Sequence, residues 1–232
     1  ALMLDYIVTV AIQSAAGVAA IISTFPSLHD YKIPMILVVI VLLTYGNLRG
    51  VKEAGKAFAL PTYFFVSCMF IVFSVGLYRQ FNGTLVQLSV EQPGAIEIGQ
   101  EQGLLTVAAI FILLRAFANG GSSLTGLEAI SDGVALFKTP EHVNARRTLY
   151  IMSALLGILV LGVSWFAHKI YAVPYESGTP TVISQIAKAI MGDGVVGSIM
   201  FVMVQLATML ILFAGANTTY SAFPLLVNFV AA

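Results

Sequence analysis

The sequence predicts an all-α integral membrane protein, and three observations carry that expectation. Apolar residues fill 59% of the 232 positions and charged ones only 9%, with a mean hydropathy of +0.94, whereas a soluble domain carries roughly 25% charged residues. The apolar residues gather into runs approaching the length that crosses a ~30 Å hydrocarbon core as a helix, about 20 residues. The formal net charge is zero and no basic or acidic block occurs, which removes the electrostatic footprint that nucleic-acid binding needs. The partner implied is the lipid bilayer.

Six such runs can be counted, with a seventh begun: Tyr6 to Phe25, Pro34 to Asn47, Phe58 to Tyr78, Leu104 to Phe137 with an interruption, Leu149 to Ala167, and Val195 to Ala216, then Tyr220 onward. Polar loops cover Arg79 to Gly103 and His168 to Asp193. Inside the second loop, Val182, Ile183, Ile186, Ala187 and Ile190 recur at helical spacing, which predicts a short amphipathic helix lying on the membrane face or plugging a vestibule. Cys68 has no second cysteine to pair with and reads as a small core residue. The chain opens without Met or a basic leader and stops inside an apolar run, so a segment of a longer protein is expected.

Lys and Arg in short loops set orientation. Arg49, Lys52 and Lys56 crowd one loop and Lys138, Arg146 and Arg147 another, and two crossings separate them. Both loops then face the cytoplasm and the first span runs outward.

The fourth region carries the most chemistry. Leu104 to Ala118 is 15 residues, about 22 Å of helix, too short to cross. Asn119-Gly120-Gly121-Ser122-Ser123 follows, five weak helix formers at membrane depth, before a second apolar half from Leu124 to Phe137. Open backbone is tolerated there only when buried in protein or lining a wet cavity. A discontinuous helix over 104–137 is therefore expected, with freed carbonyls for cations and a half-helix N-terminus aimed at the gap. A packing glycine pair or a kink would give the same letters.

Beyond the break Thr125, Glu128 and Asp132 stand at i, i+3 and i+7, on one helix face. An ionisable group inside a span costs about 2.5 kcal/mol or more, so Glu128 reads as an ion or proton site; an ion pair with Arg115 is the alternative. Asp132 reads equally as an interfacial helix-end carboxylate. Arg115 itself is a candidate gate or ion-pair partner. In the first span Asp5, Thr9 and Gln13 recur every fourth residue, continued by Ala16 and Gly17. Such a stripe of oxygens suits a hard monovalent cation or a proton path, and an interhelical hydrogen-bond seam is the alternative. Asn217, Thr218 and Thr219 read as a turn between the last two runs, with a ligand cluster as the alternative.

Other chemistry lacks its residues. There is no HExxH, CxxC, phosphate-binding loop or GxSxG, and His29, His142 and His168 lie far apart. No enzyme activity, catalytic residue, cofactor or transition metal is expected.

The run from Leu114 through Asn119-Gly120-Gly121-Ser122-Ser123 and Thr125-Gly126-Leu127-Glu128 to Asp132-Gly133 resembles the sixth helix of APC-superfamily permeases. It is most similar to bacterial KUP-family, KimA-type proton-coupled potassium importers. The likeness extends to Asp5-Tyr6 with Thr9, Asn47-Leu48-Arg49-Gly50, Asn144 to Leu149, and Asn217-Thr218 with Ala222-Phe223-Pro224. It implies a LeuT-like inverted-repeat fold, of which residues 1–232 form a single transmembrane domain fragment resembling helices 3 to 8 and the start of 9. It further implies ion binding at Asp5, Tyr6, Thr9, Thr125 and Glu128, proton coupling at Asp5 or Glu128, and a bacterial inner-membrane, multi-pass location that allows a homodimer. Gln13 departs from those relatives, which can carry a small hydroxyl there, although its amide still offers an oxygen. With Asn119, Gly120 and Ser122 at the break, these residues make the expected site for potassium and a proton. A cation-coupled amino-acid permease of the same fold is the second reading, its substrate carboxylate held near Ser122 to Leu124.

Overall fold

The computed structural model describes residues 2–48, 54–89, 92–96, 107–121 and 137–231. Within them the chain folds as α1 (Leu2–Thr24), a 3-10 helix (Pro26–Tyr31), α2 (Lys32–Leu48), α3 (Ala54–Phe81), α4 (Val107–Gly121), α5 (Glu141–Ile170), α6 (Val182–Met191) and α7 (Val195–Ala231). One antiparallel bridge, Ala95 with Tyr175, is the sole β pairing among the described residues. Among the described residues five stretches are long and apolar enough to cross a membrane: Leu4–Thr24, Pro26–Leu48, Ala59–Phe81, Glu141–Ile170 and Val195–Tyr220.

The chain forms two compact units, Ala1–Ile96 with Trp165–Ala232, and Glu97–Ser164. The second holds α4 and all of α5 up to Ser164. In the first, α1 and α7 form the central pair. A Cβ on Gly17 would meet the Phe213 ring and one on Gly215 would meet the Gln13 amide; the α7 number falls as the α1 number rises, so the two helices run antiparallel. Small residues let their backbones approach, the usual device where lipid removes any hydrophobic drive between helices. Val18, Ala20 and Ile22 are buried on α1, and Val204, Ala207 and Ala216 on α7.

Around that pair lie α3, α6 and α2. Phe166, from the end of α5, stacks on Phe73 at 5.5 Å and fills the space over Gly76, where a Cβ would stand 2.4 Å from its ring. No residue of α2 is buried; Leu37, Val38, Val41 and Leu42 are exposed, as an apolar helix facing lipid tails should be.

The amphipathic helix expected in the second loop is α6, and its apolar face is buried against protein. Ile186, Ala187 and Ile190 are fully buried, and the helix packs on α3 and α7. Thr181 caps it by accepting the Ser184 N–H at 3.2 Å, while the Ser184 hydroxyl donates to the Thr181 carbonyl at 3.0 Å. At its far end Lys188 pairs with Asp193 at 2.7 Å, and that hydrogen bond and charge hold the Asp193 carboxyl below the ordinary carboxylate range. Both groups are largely in water, so the pair adds little stability.

The segment ahead of α6 is strapped down. Lys32 Nζ donates to the Ser177 carbonyl at 2.6 Å, the Thr181 N–H donates to Ser23 Oγ at 3.2 Å, and the Ile96 N–H donates to the Pro174 carbonyl at 2.9 Å. Tyr175 also hydrogen-bonds Gln92.

Two sequence expectations need correction. Asn217 to Thr219 is no turn: α7 runs unbroken for 37 residues, about 55 Å. The hydroxyls of Thr218 and Thr219 donate to the carbonyls of Ala214 and Gly215 at 3.0 and 3.2 Å, so these polar residues satisfy themselves within the helix. The start of the expected break also moves. Asn119, Gly120 and Gly121 form the last turn of α4, since glycine costs a helix only about 1 kcal/mol relative to alanine.

Candidate functional site

Asp5, Tyr6, Thr9 and Gln13 all stand on α1. At 3.6 residues per turn, Asp5, Thr9 and Gln13 form one slowly winding stripe. Leu4, Ile7, Val8 and Ile12 carry the exposed apolar surface beside it. Asp5 is exposed, while Tyr6, Thr9 and Gln13 are half-buried. The stripe deepens toward its Gln13 end, where the amide packs over Gly215 of α7, 2.9 to 3.0 Å from where a β-carbon would be. A β-carbon there would oblige the amide to shift. Gln13 Oε1 is buried and has no hydrogen-bond partner, an acceptor left open at the enclosed end of a carboxylate-hydroxyl-amide row. Such an orphan costs about 1–3 kcal/mol.

The other half of the expected site is on α4 and beyond. Arg115, Asn119 and Gly120 belong to α4, where Arg115 and Asn119, four apart, share a helix face. Ser122, Thr125, Glu128 and Asp132 lie outside the described residues. The structure thus assembles the α1 stripe, and α4 belongs to the other compact unit.

Three features escaped sequence reasoning. Asn47 Nδ2 donates to Asn217 Oδ1 at 2.7 Å and to the Leu43 carbonyl at 2.8 Å, joining α2 to α7 through two of the asparagines quoted above for the family likeness. Ser14, beside Gln13, is fully buried with an unpartnered hydroxyl. Gln205, inside the apolar run of α7, is buried with both amide ends open. The only signal for Gln205 was an amide standing alone among apolar neighbours.

No known protein-family profile matches the chain. Over 224 residues, 96% of its length, it is 39% identical to a Bacillus subtilis (strain 168) protein named "Potassium transporter KimA". The chain spans 35% of the length of that relative. With its five long apolar helices, the chain is a multi-pass protein of the cell membrane.

Proposed function

We propose that this chain is part of a KUP-family, KimA-type potassium importer of the APC superfamily, built on a LeuT-like fold, in which potassium enters together with protons. The observation that carries this reading is the 39% identity, sustained over 96% of the chain, to a protein named as a potassium transporter. The stripe on α1 is what such a function needs: Asp5, Tyr6, Thr9 and Gln13 present oxygens along one side of a membrane helix. In this reading Thr125 and Glu128 complete the oxygen set, Asn119 and Gly120 of α4 and Ser122 after it line the ion path, and Arg115 guards it.

Charge balance gives the coupling its logic. Two ionised carboxylates, Asp5 and Glu128, would make the empty site doubly negative, which is costly at membrane depth. One potassium ion and one proton neutralise both charges, so the fully loaded site is cheapest to occlude. Because coupling between two ligands is reciprocal, a proton that favours potassium occupancy is itself held better when potassium is bound.

The test is growth of a potassium-uptake-deficient bacterium on low potassium, rescued by the full-length parent protein. Removing a charged ligand should cost about 1.5–3 kcal/mol of ion binding, so Glu128→Gln and Asp5→Asn should each lower uptake by about 10- to 100-fold at unchanged protein level. Wild-type uptake in both variants would overturn the assignment. Amino-acid uptake without potassium uptake would point to a permease of the same fold instead.

A further inference from the structure

Two glutamines in the core of the first unit have opposite surroundings. Gln185 on α6 is 6% exposed, and its amide is fully used. Oε1 accepts the Val173 N–H at 3.2 Å, and Nε2 donates to the carbonyls of Val173 at 2.7 Å and Pro180 at 3.2 Å. Gln205 on α7 is still more enclosed, at 2%, yet neither Oε1 nor Nε2 meets a hydrogen-bond partner. Among the described residues it is the one amide left with both an open donor and an open acceptor in the interior; the buried Ser14 hydroxyl on α1 is the other group open in both senses.

We propose that Gln205 is the anchor of an enclosed water site in the core of the first unit. The chemistry of the amide selects the occupant. A bare cation would satisfy Oε1 but face the amide N–H, and an anion would do the reverse; water both donates and accepts. Buried waters typically hold about three hydrogen bonds to otherwise unsatisfied polar groups. A third partner is at hand on the same helix face one turn on. Thr208, also buried, gives its hydroxyl proton to the Val204 carbonyl at 2.8 Å, so its oxygen remains an acceptor toward the interior. Val204 and Ala207 fill the rest of that buried turn with apolar atoms and offer the amide no side-chain partner of their own. The site is independent of the Asp5, Thr9 and Gln13 stripe and of what the protein transports.

The experiment is a cryo-electron microscopy map of the full-length parent protein in nanodiscs, at a resolution that shows core waters, for wild type and Gln205→Leu, with thermal midpoints of both and of Gln185→Leu. Wild type should show water density within ~3.2 Å of both ends of the Gln205 amide, and Gln205→Leu should lose it. Since no protein group loses a partner, the Gln205→Leu midpoint should stay level or rise, whereas Gln185→Leu, which strands Val173 and Pro180, should lower it. A dry amide, an amide turned onto a protein atom, or a Gln205→Leu midpoint falling as far as that of Gln185→Leu would overturn the proposal. Should Gln205→Leu not accumulate, Gln205→Met serves in its place, and the wild-type map decides alone.

Discussion

A β-carbon on Gly197 would stand 2.4 Å from the Gly192 carbonyl oxygen and 2.5 Å from that of Met191. Both obstacles are backbone, so α6 and α7 would have to separate to admit it. Overpacking of this kind costs about 1–3 kcal/mol, and Gly197→Ala should lower the thermal midpoint of the full-length protein accordingly. Gly17→Ala is expected to cost less, because its obstacle is the Phe213 ring, a side chain that can turn. The Asn47–Asn217 bond makes a separate prediction at this scale. A double-mutant cycle with Asn47→Leu and Asn217→Leu should give a coupling near 0.6 kcal/mol and no more than ~1.7, the range seen for hydrogen bonds between membrane helices; zero coupling would mean that the pair does not hold α2 to α7. None of these contacts was legible in the sequence. Gly17, Gly76 and Gly197 carry no mark of which bulky group or carbonyl faces them, since that depends on which helices become neighbours.

At the scale of elements, apolar run length was a good guide and polar content a poor one. The first, second, third, fifth and sixth runs each fall, to within a residue at their ends, inside a stretch long enough to cross, because lipid offers the backbone no partner except itself. Asn217-Thr218-Thr219 misled for the same reason: in an apolar setting hydroxyls turn back onto the carbonyl four residues earlier, and a polar triplet that would favour a turn in water continues the helix. The periodicity of α6 was readable, but its burial was not, since a hydrophobic face is the same whether it meets lipid or protein. Its N-terminus rests on Thr181. Thr181→Ala should cost about 1 kcal/mol and speed amide exchange in the first turn of α6, while α1 and α7 keep their protection. Uniform exchange across all three helices would show that the cap does not act locally.

For the molecule as a whole, the carboxylate-bearing stripe of α1 and the expected break beginning at Asn119 were both read from letters, and half of that expectation has a described counterpart. Asp5, Thr9 and Gln13 do share one side of a membrane helix, deepening to an amide packed on Gly215. What the sequence could not supply is how that stripe relates to Thr125 and Glu128, which depends on long-range packing and not on spacing along the chain. The function proposed turns on the two carboxylates acting together to exchange charge, so the decisive measurement is of flux and pH at once. Rubidium, a close stand-in for potassium, is offered to vesicles containing the full-length parent protein while the lumenal pH is recorded. Proton-coupled potassium import predicts rubidium entry that acidifies the lumen and stops when excess potassium is added. Rubidium entry at constant lumenal pH would contradict the coupling, and no rubidium entry at all would contradict the substrate.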